Sequence, residues 1–316
     1  MPAGASAEPS ADEAVPALLA RFGGEPPPAP EWFRRALALE AQRSFVGIDG
    51  ANIELLAWGA RGRPGLLFLH GHAAHADVWR FIAPFFAGNF RVGALSWSGM
   101  GRSDWRADYH IDHWVAELMG GAAALGLFDA PIAPVVVAHS AGAKPALITA
   151  AQHGDRLSGL IVADSGVSVP PPPHRQKADR RRCHRNYPTL PQALARFRFG
   201  PIQPCENFYI ADRIARDSLK QVEGGWTWRF DPGIWAWLAS AEAWNALANP
   251  KCRLALLVGE HSAVVTRQRA DSLRNQAPPG TPYVVLPEAH HHLMVDQPLA
   301  FVTAIRAILA GWGIAG

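Results

Sequence analysis

Three kinds of side chain stand where apolar runs give out, and together they could attack a carbonyl. Residues 133–140 read APVVVAHS and bring Ser140 to the end of a valine run, between the small residues Ala138, Ala141 and Gly142. Asp164 closes LIVAD, Glu260 follows CRLALLVG, and His290, His291 and His292 follow TPYVVLPEA. A serine hydroxyl is a weak nucleophile until an imidazole takes its proton and a third group orients that imidazole. Serine, carboxylate and histidine occur here in that chain order. The plain alternative is that Ser140 is an ordinary turn residue. The sharper one is a strained strand-to-helix turn that lifts a hydroxyl out of a sheet, where any larger neighbour would collide with adjacent backbone. The local pattern is A-x-S-x-G, one residue short of G-x-S-x-G, so the rest of the chain has to decide.

The positions of these residues depend on the elements between them. FVGIDG and ANIELLAWG (45–59) read as a hairpin turning at Asp49-Gly50. The runs at 64–71, 90–97, 133–140, 157–166, 252–260 and 281–289 are continuously apolar, as strands buried on both faces of a parallel sheet must be. Helical patterns fall between them at 75–88, 111–127, 142–154, 263–276 and 299–312. Alternation of this kind predicts an α/β, doubly wound, mostly parallel sheet opened by an antiparallel hairpin. Such sheets bind ligands beyond the carboxyl ends of their strands, which is where His70, Ser140, Asp164, Glu260 and the three histidines fall.

The alternation stops between 167 and 246. That stretch opens on VSVPPPP, passes through a basic run from Arg175 to Arg185, and turns aromatic with Trp226, Trp228, Trp235, Trp237 and Trp244. It reads as a helical lid inserted over the active edge. The domain plan is therefore a poorly ordered Ala/Pro-rich leader over 1–30, a first core part over 31–166, the lid over 167–246 and a second core part over 247–316. Aromatic rings suit bulky apolar ligands, which makes Trp226, Trp228 and Trp235 candidate substrate contacts; their simpler role is to glue the lid down.

Whole-chain properties narrow the class. At 316 residues the chain can bury a large core. A formal net charge of +3 is too small to imply nucleic acid, and the basic run is local. Cys183, Cys205 and Cys252 form no disulfide framework. No secretory signal pattern and no apolar run of the about 20 residues a membrane span needs is visible. Together these point to a cytoplasmic protein acting on a small molecule. A metal site could be built from His290, His291 and His292 with His70, His72 and His75, but three consecutive histidines do not easily converge on one ion. No metal and no cofactor is expected.

Four segments, LFLHGHAAHADVW, LSWSGMGRSDW, VVVAHSAGAKPAL and PEAHHHLMVDQPLAF, together resemble the α/β-hydrolases, specifically the lidded esterases, lactonases and carbon–carbon hydrolases. The resemblance covers roughly 45–165 and 250–312 and implies roles. Ser140 matches the nucleophile. His291, seven residues before Pro298, matches the base, leaving His290 and His292 to fill the loop. His70-Gly71-His72 matches the oxyanion turn, so the backbone N–H groups of His72 and Ala141 should hold the oxyanion. Many relatives place the acid where this chain has Ser262; others place it one strand earlier, at Asp164. Asp164 is preferred, with Glu260 as the alternative. The fourth-strand loop departs from the family in having Ser96 where Asp is common. Lys144, one turn after Ser140, reads as an exposed lysine.

The implied activity is hydrolysis of an ester or lactone of a mainly apolar small molecule through an acyl-enzyme. The same residues would also serve carbon–carbon bond hydrolysis. A third possibility is a ligand sensor on a hydrolase scaffold with little turnover, since fold does not fix function.

Overall fold

The computed structural model describes residues 17–167, 184–237 and 241–314. Its strands are β1 (Gln42–Ile48), β2 (Ala51–Trp58), β3 (Gly65–Leu69), β4 (Arg91–Leu95), β5 (Val135–His139), β6 (Gly159–Ala163), β7 (Leu219–Val222), β8 (Gly225–Trp228), β9 (Arg253–Gly259) and β10 (Tyr283–Leu286). The α-helices are α1 (Glu31–Ala38), α2 (Ile111–Ala124), α3 (Ala143–His153), α4 (Leu190–Leu194), α5 (Phe208–Asp217), α6 (Glu242–Ala248), α7 (Arg267–Gln276), α8 (Leu293–Asp296) and α9 (Pro298–Gly311). Eight strands form one sheet in the order β1-β2-β4-β3-β5-β6-β9-β10. β2 pairs antiparallel with both β1 and β4, and every later pairing is parallel. At the β1–β2 turn Asp49 and Gly50 both take left-handed φ, 46° and 77°, as a two-residue hairpin turn requires.

The continuous apolar strands are explained by their two faces. Leu66, Phe68, Val135, Val137, Ile161 and Ala163 pack on one side with Trp79 and Phe301, whereas Leu67, Leu69, Val136, Ala138, Leu160 and Val162 pack on the other with Trp97 and Trp114. Each fully buried aliphatic side chain contributes about 1.5–3 kcal/mol before entropy is charged against it. The parallel order puts the carboxyl ends of β3, β5, β6, β9 and β10 along one edge. That is how residues as far apart as 140 and 291 come together.

Three expectations change. The stretch 75–88 forms two 3-10 turns, Ala76–Trp79 and Ala83–Phe85, instead of a helix; Pro84 supplies no amide hydrogen and disfavours helix at the residue before it. The insertion between β6 and β9 carries helices α4, α5 and α6, but its centre is the antiparallel hairpin β7–β8. Part of the expected poorly ordered leader is packed: Leu19 is buried, and the guanidinium of Arg21 lies 3.8 Å from the ring centroid of Phe208. Residues 168–183, which hold most of the basic run, lie outside the described residues, as do 1–16. Among the described residues no helix is long and apolar enough to cross a membrane.

Candidate active site

Ser140 sits on the turn between β5 and α3 with a left-handed φ of 53°. For a residue with a Cβ this conformation costs on the order of 1–3 kcal/mol, so the surroundings must hold it. Two glycines do so by letting backbone come close. A Cβ on Gly71 would lie 2.9 Å from the Cβ of Ser140, and one on Gly142 would strike the carbonyl oxygen of His70. The β3 turn is thereby pressed against the β5 turn.

Ser140 Oγ lies 2.9 Å from His291 Nε2, and His291 Nδ1 lies 2.6 Å from Asp164 Oδ2. A carboxylate only accepts, so Nδ1 carries the imidazole proton and Nε2 presents a lone pair to the serine hydroxyl. Asp164 is fully buried and itself adopts a φ of 46°. It accepts two further hydrogen bonds, from the Gly259 amide to Oδ1 (3.0 Å) and from the Ser262 hydroxyl to Oδ2 (2.6 Å). Ser262 Oγ in turn accepts from the amides of Val264 and Val265. Buried charge needs such partners, because an unpaired one costs several kcal/mol.

The alternative acid is elsewhere. Glu260 is exposed and accepts from the backbone amide of Glu288 at 3.0 Å. Of the neighbouring histidines, His290 donates its amide to Asp296, and His292 packs against Phe199 with ring centroids 4.8 Å apart. Burial pushes the His292 ring well below its ordinary pKa. His70 is held neutral by burial, at about 3; its Nδ1–H donates to Gly71 O at 2.7 Å and its Nε2 accepts from the Trp97 amide at 3.1 Å.

Sequence reasoning missed three participants. Ser262, at the position where the family resemblance would put an acid, donates a hydrogen bond to Asp164 instead. Glu54 on β2 supplies the carboxylate missing at Ser96: Ser96 Oγ donates to Glu54 Oε2 at 2.7 Å and accepts from the Ala76 amide at 2.9 Å. Glu54 also accepts from the Arg102 amide at 2.9 Å and pairs with Arg43. His139 is the third; its ring lies between the serine turn and the histidine loop. Lys144 differs from expectation in being half-buried, and burial pushes its ammonium down to about 8.

The insertion grips both turns. Phe230 faces the His72 ring at 6.5 Å, Ser218 Oγ lies 2.9 Å from His75 Nε2, and Gln203 accepts from the His292 amide at 3.0 Å. The expected tryptophans are placed differently. Trp226 is half-buried against the core from β8, and Trp228 packs on Tyr187 and Phe197 at 6.3 and 6.4 Å. Trp235 falls in the 3-10 stretch Pro232–Trp237, and its side chain lies outside the described part. A cavity of about 500 Å³ between the hairpin and the β4–α2 loop is lined by Trp105, Tyr109, Lys220, Trp228 and Asp231 among others, and not by Ser140, Asp164 or His291. Among the described residues, Phe230 faces the β3 turn at His72 and Phe199 faces the histidine loop at His292.

The chain is similar to known proteins over part of its length. The lipase LipV of Mycobacterium tuberculosis is 30% identical over 118 residues, 37% of this chain and 43% of that protein. The N-formylmaleamate deformylase of Pseudomonas putida is 32% identical over 127 residues, 40% of this chain and 46% of that protein. The chain thus matches less than half the length of either relative. The crystal structure of E-2-(acetamidomethylene)succinate hydrolase superposes with a TM-score of 0.72 at 19% identity, covering 86% of this chain and 100% of that one, a likeness of fold. A family model for the alpha/beta hydrolases matches residues 66–304, three quarters of the sequence, and the chain belongs to that family.

Proposed function

We propose that the protein is a serine hydrolase that cleaves carboxylic esters, lactones included, through an acyl-enzyme. The observation that carries this reading is the relay from Ser140 Oγ to His291 Nε2 at 2.9 Å and from His291 Nδ1 to Asp164 at 2.6 Å. Ser140 attacks the carbonyl carbon as His291 Nε2 takes its proton. Asp164 keeps the imidazole in the tautomer that can accept this proton and balances the imidazolium that forms. The amides of His72 and Ala141 hold the oxyanion, a contribution worth about 3–4 kcal/mol per donor where it has been measured by mutation. Collapse of the tetrahedral adduct breaks the carbon–oxygen bond, and His291 returns the proton to the departing alcohol. Water, activated by the same histidine, then releases the acid and restores Ser140.

The insertion acts as a lid. Phe230 beside His72 and Phe199 beside His292 give the site aromatic walls, which supports a substrate with a sizeable apolar part. Hydrolysis fits better than a passive sensor because all three groups lie within hydrogen-bond reach in the required tautomer. The relatives named as a lipase and a deformylase span ester and formamide chemistry, so the test uses a panel. Turnover of aryl esters of increasing chain length, a γ-lactone, an N-formyl amide and a β-diketone is compared in the wild type and Ser140→Ala. The reading expects ester or lactone turnover highest and a loss of about 10⁴-fold or more in the variant. Selective turnover of the β-diketone would move the assignment to carbon–carbon cleavage, and an inert wild type would leave a binding role.

A further inference from the structure

His139 immediately precedes Ser140 and is buried at 3% exposure. Its Nε2 lies 2.9 Å from the main-chain oxygen of His291. A carbonyl only accepts, so Nε2 carries the proton and His139 donates across 152 residues of sequence to the loop that bears the base. Its ring centroid is 4.8 Å from that of His291 and 5.4 Å from that of His292. Its Nδ1 would lie 3.3 Å from a Cβ placed on Gly71. One side chain therefore touches the turn of the nucleophile, the turn of the oxyanion amides and the loop of the base.

We propose that His139 is a positioning residue: its Nε2–H···O=C bond to His291 sets the height of the base loop over Ser140. The inference rests on the serine-hydrolase reading and deepens it. Asp164 fixes the imidazole from its Nδ1 side. The loop, residues 287–292 between β10 and α8, is tied at the amides of Glu288, His290 and His292 to Glu260, Asp296 and Gln203. The bond from His139 adds an anchor on the main chain of His291 itself. The anchor comes from the residue beside the nucleophile, so the two reacting groups share one reference point. In the neutral Nε2–H tautomer His139 makes this bond without placing a second charge beside His291.

The plain rival is that His139 merely fills space between the two turns. Three substitutions separate the readings. In His139→Gln an amide nitrogen can reach about where Nε2 stands and donate. His139→Asn is polar but too short, and His139→Leu fills the volume without a donor. Each is assayed for kcat and KM on the best ester, for its rate of labelling by a fluorophosphonate, and for its thermal unfolding transition. The proposal expects the Gln variant to keep kcat within about fivefold, and the Asn and Leu variants to lose about 30- to 100-fold in kcat with KM within threefold, as a misplacement of the base by about 1 Å would cause. Labelling should slow by the same factor. A folded Asn or Leu variant with wild-type kcat overturns the proposal, and so does a folded Gln variant as slow as the other two. If neither the Asn nor the Leu variant folds, the Gln variant decides alone. A wild type that neither turns over esters nor labels defeats the hydrolase reading itself, an outcome distinct from the failure of the tether.

Discussion

Asp164 and Glu260 stand at the ends of adjacent parallel strands, yet their surroundings make them different acids. Asp164 ends β6, is fully buried, and collects three donors: the imidazole of His291, the amide of Gly259 and the hydroxyl of Ser262. Glu260 ends β9, is exposed, and takes one amide from Glu288. In water an exposed charge interacts weakly with its neighbours, whereas in a dry, hydrogen-bonded pocket the same charge can hold an imidazole in place. What makes a carboxylate useful here is the pocket built around it, more than its nearness to the right strand end. Ser262 belongs to that pocket: the residue that cannot be the acid helps to seat the acid.

Asp164→Asn is the hardest blow to this contrast. It preserves shape but presents the imidazole with an amide, and turnover should fall by about 10⁴-fold if the tautomer argument carries over from the serine proteases. Ester kinetics on the folded variant provide the check, and a loss under tenfold would mean that the carboxylate is dispensable.

Next in size is Ser262→Ala. It removes one donor from Asp164 and frees the Val264 and Val265 amides. A lost hydrogen bond to a buried charge costs about 1.5–3 kcal/mol, so a drop in kcat of roughly tenfold to 100-fold is expected, with KM little changed. Equality with wild type would show that the Gly259 amide alone suffices to seat the acid.

A third prediction concerns acid sensitivity. Burial holds the rings of His70 and His139 at about 3 in the folded protein, against about 6.5 in an unfolded chain. Between those values the unfolded chain binds more protons, so stability is highest above pH 6.5 and is lost as pH falls toward 3. Each ring contributes a slope of up to about 1.4 kcal/mol per pH unit in that window. Urea titrations at several pH values should show this decline, and His139→Gln should flatten it. An unchanged slope would place the titrating groups elsewhere.

Smallest of all, Glu260→Gln should alter kcat by less than about threefold, as expected for a surface group. A large loss there would reverse the contrast between the two carboxylates.

The sequence carried the sheet well because its strands are continuous apolar runs with two buried faces, and it carried the serine turn because small residues there have a steric reason. His291 was legible only through its spacing to Pro298. What stayed hidden depends on long-range contact. Nothing local ties Ser262 to Asp164, or Glu54 to Ser96; each bond joins side chains from different strands or loops. The insertion was misread for another reason. Five tryptophans suggest helices, while Trp226 and Trp228 alternate at period two after the turn at Glu223-Gly224, which is the pattern of the β8 strand. His139 sits within the serine motif, but the carbonyl it donates to lies at the far end of the chain.

The central claim is that Ser140, activated through His291 by Asp164, forms the covalent intermediate. Incubation with an excess of a fluorophosphonate, followed by intact mass and peptide mapping, tests it most directly. The account predicts one adduct per chain, located on Ser140, absent in Ser140→Ala and formed at least about 10³-fold more slowly in Asp164→Asn. An adduct on another residue, or undiminished labelling and ester turnover in Ser140→Ala, would contradict it.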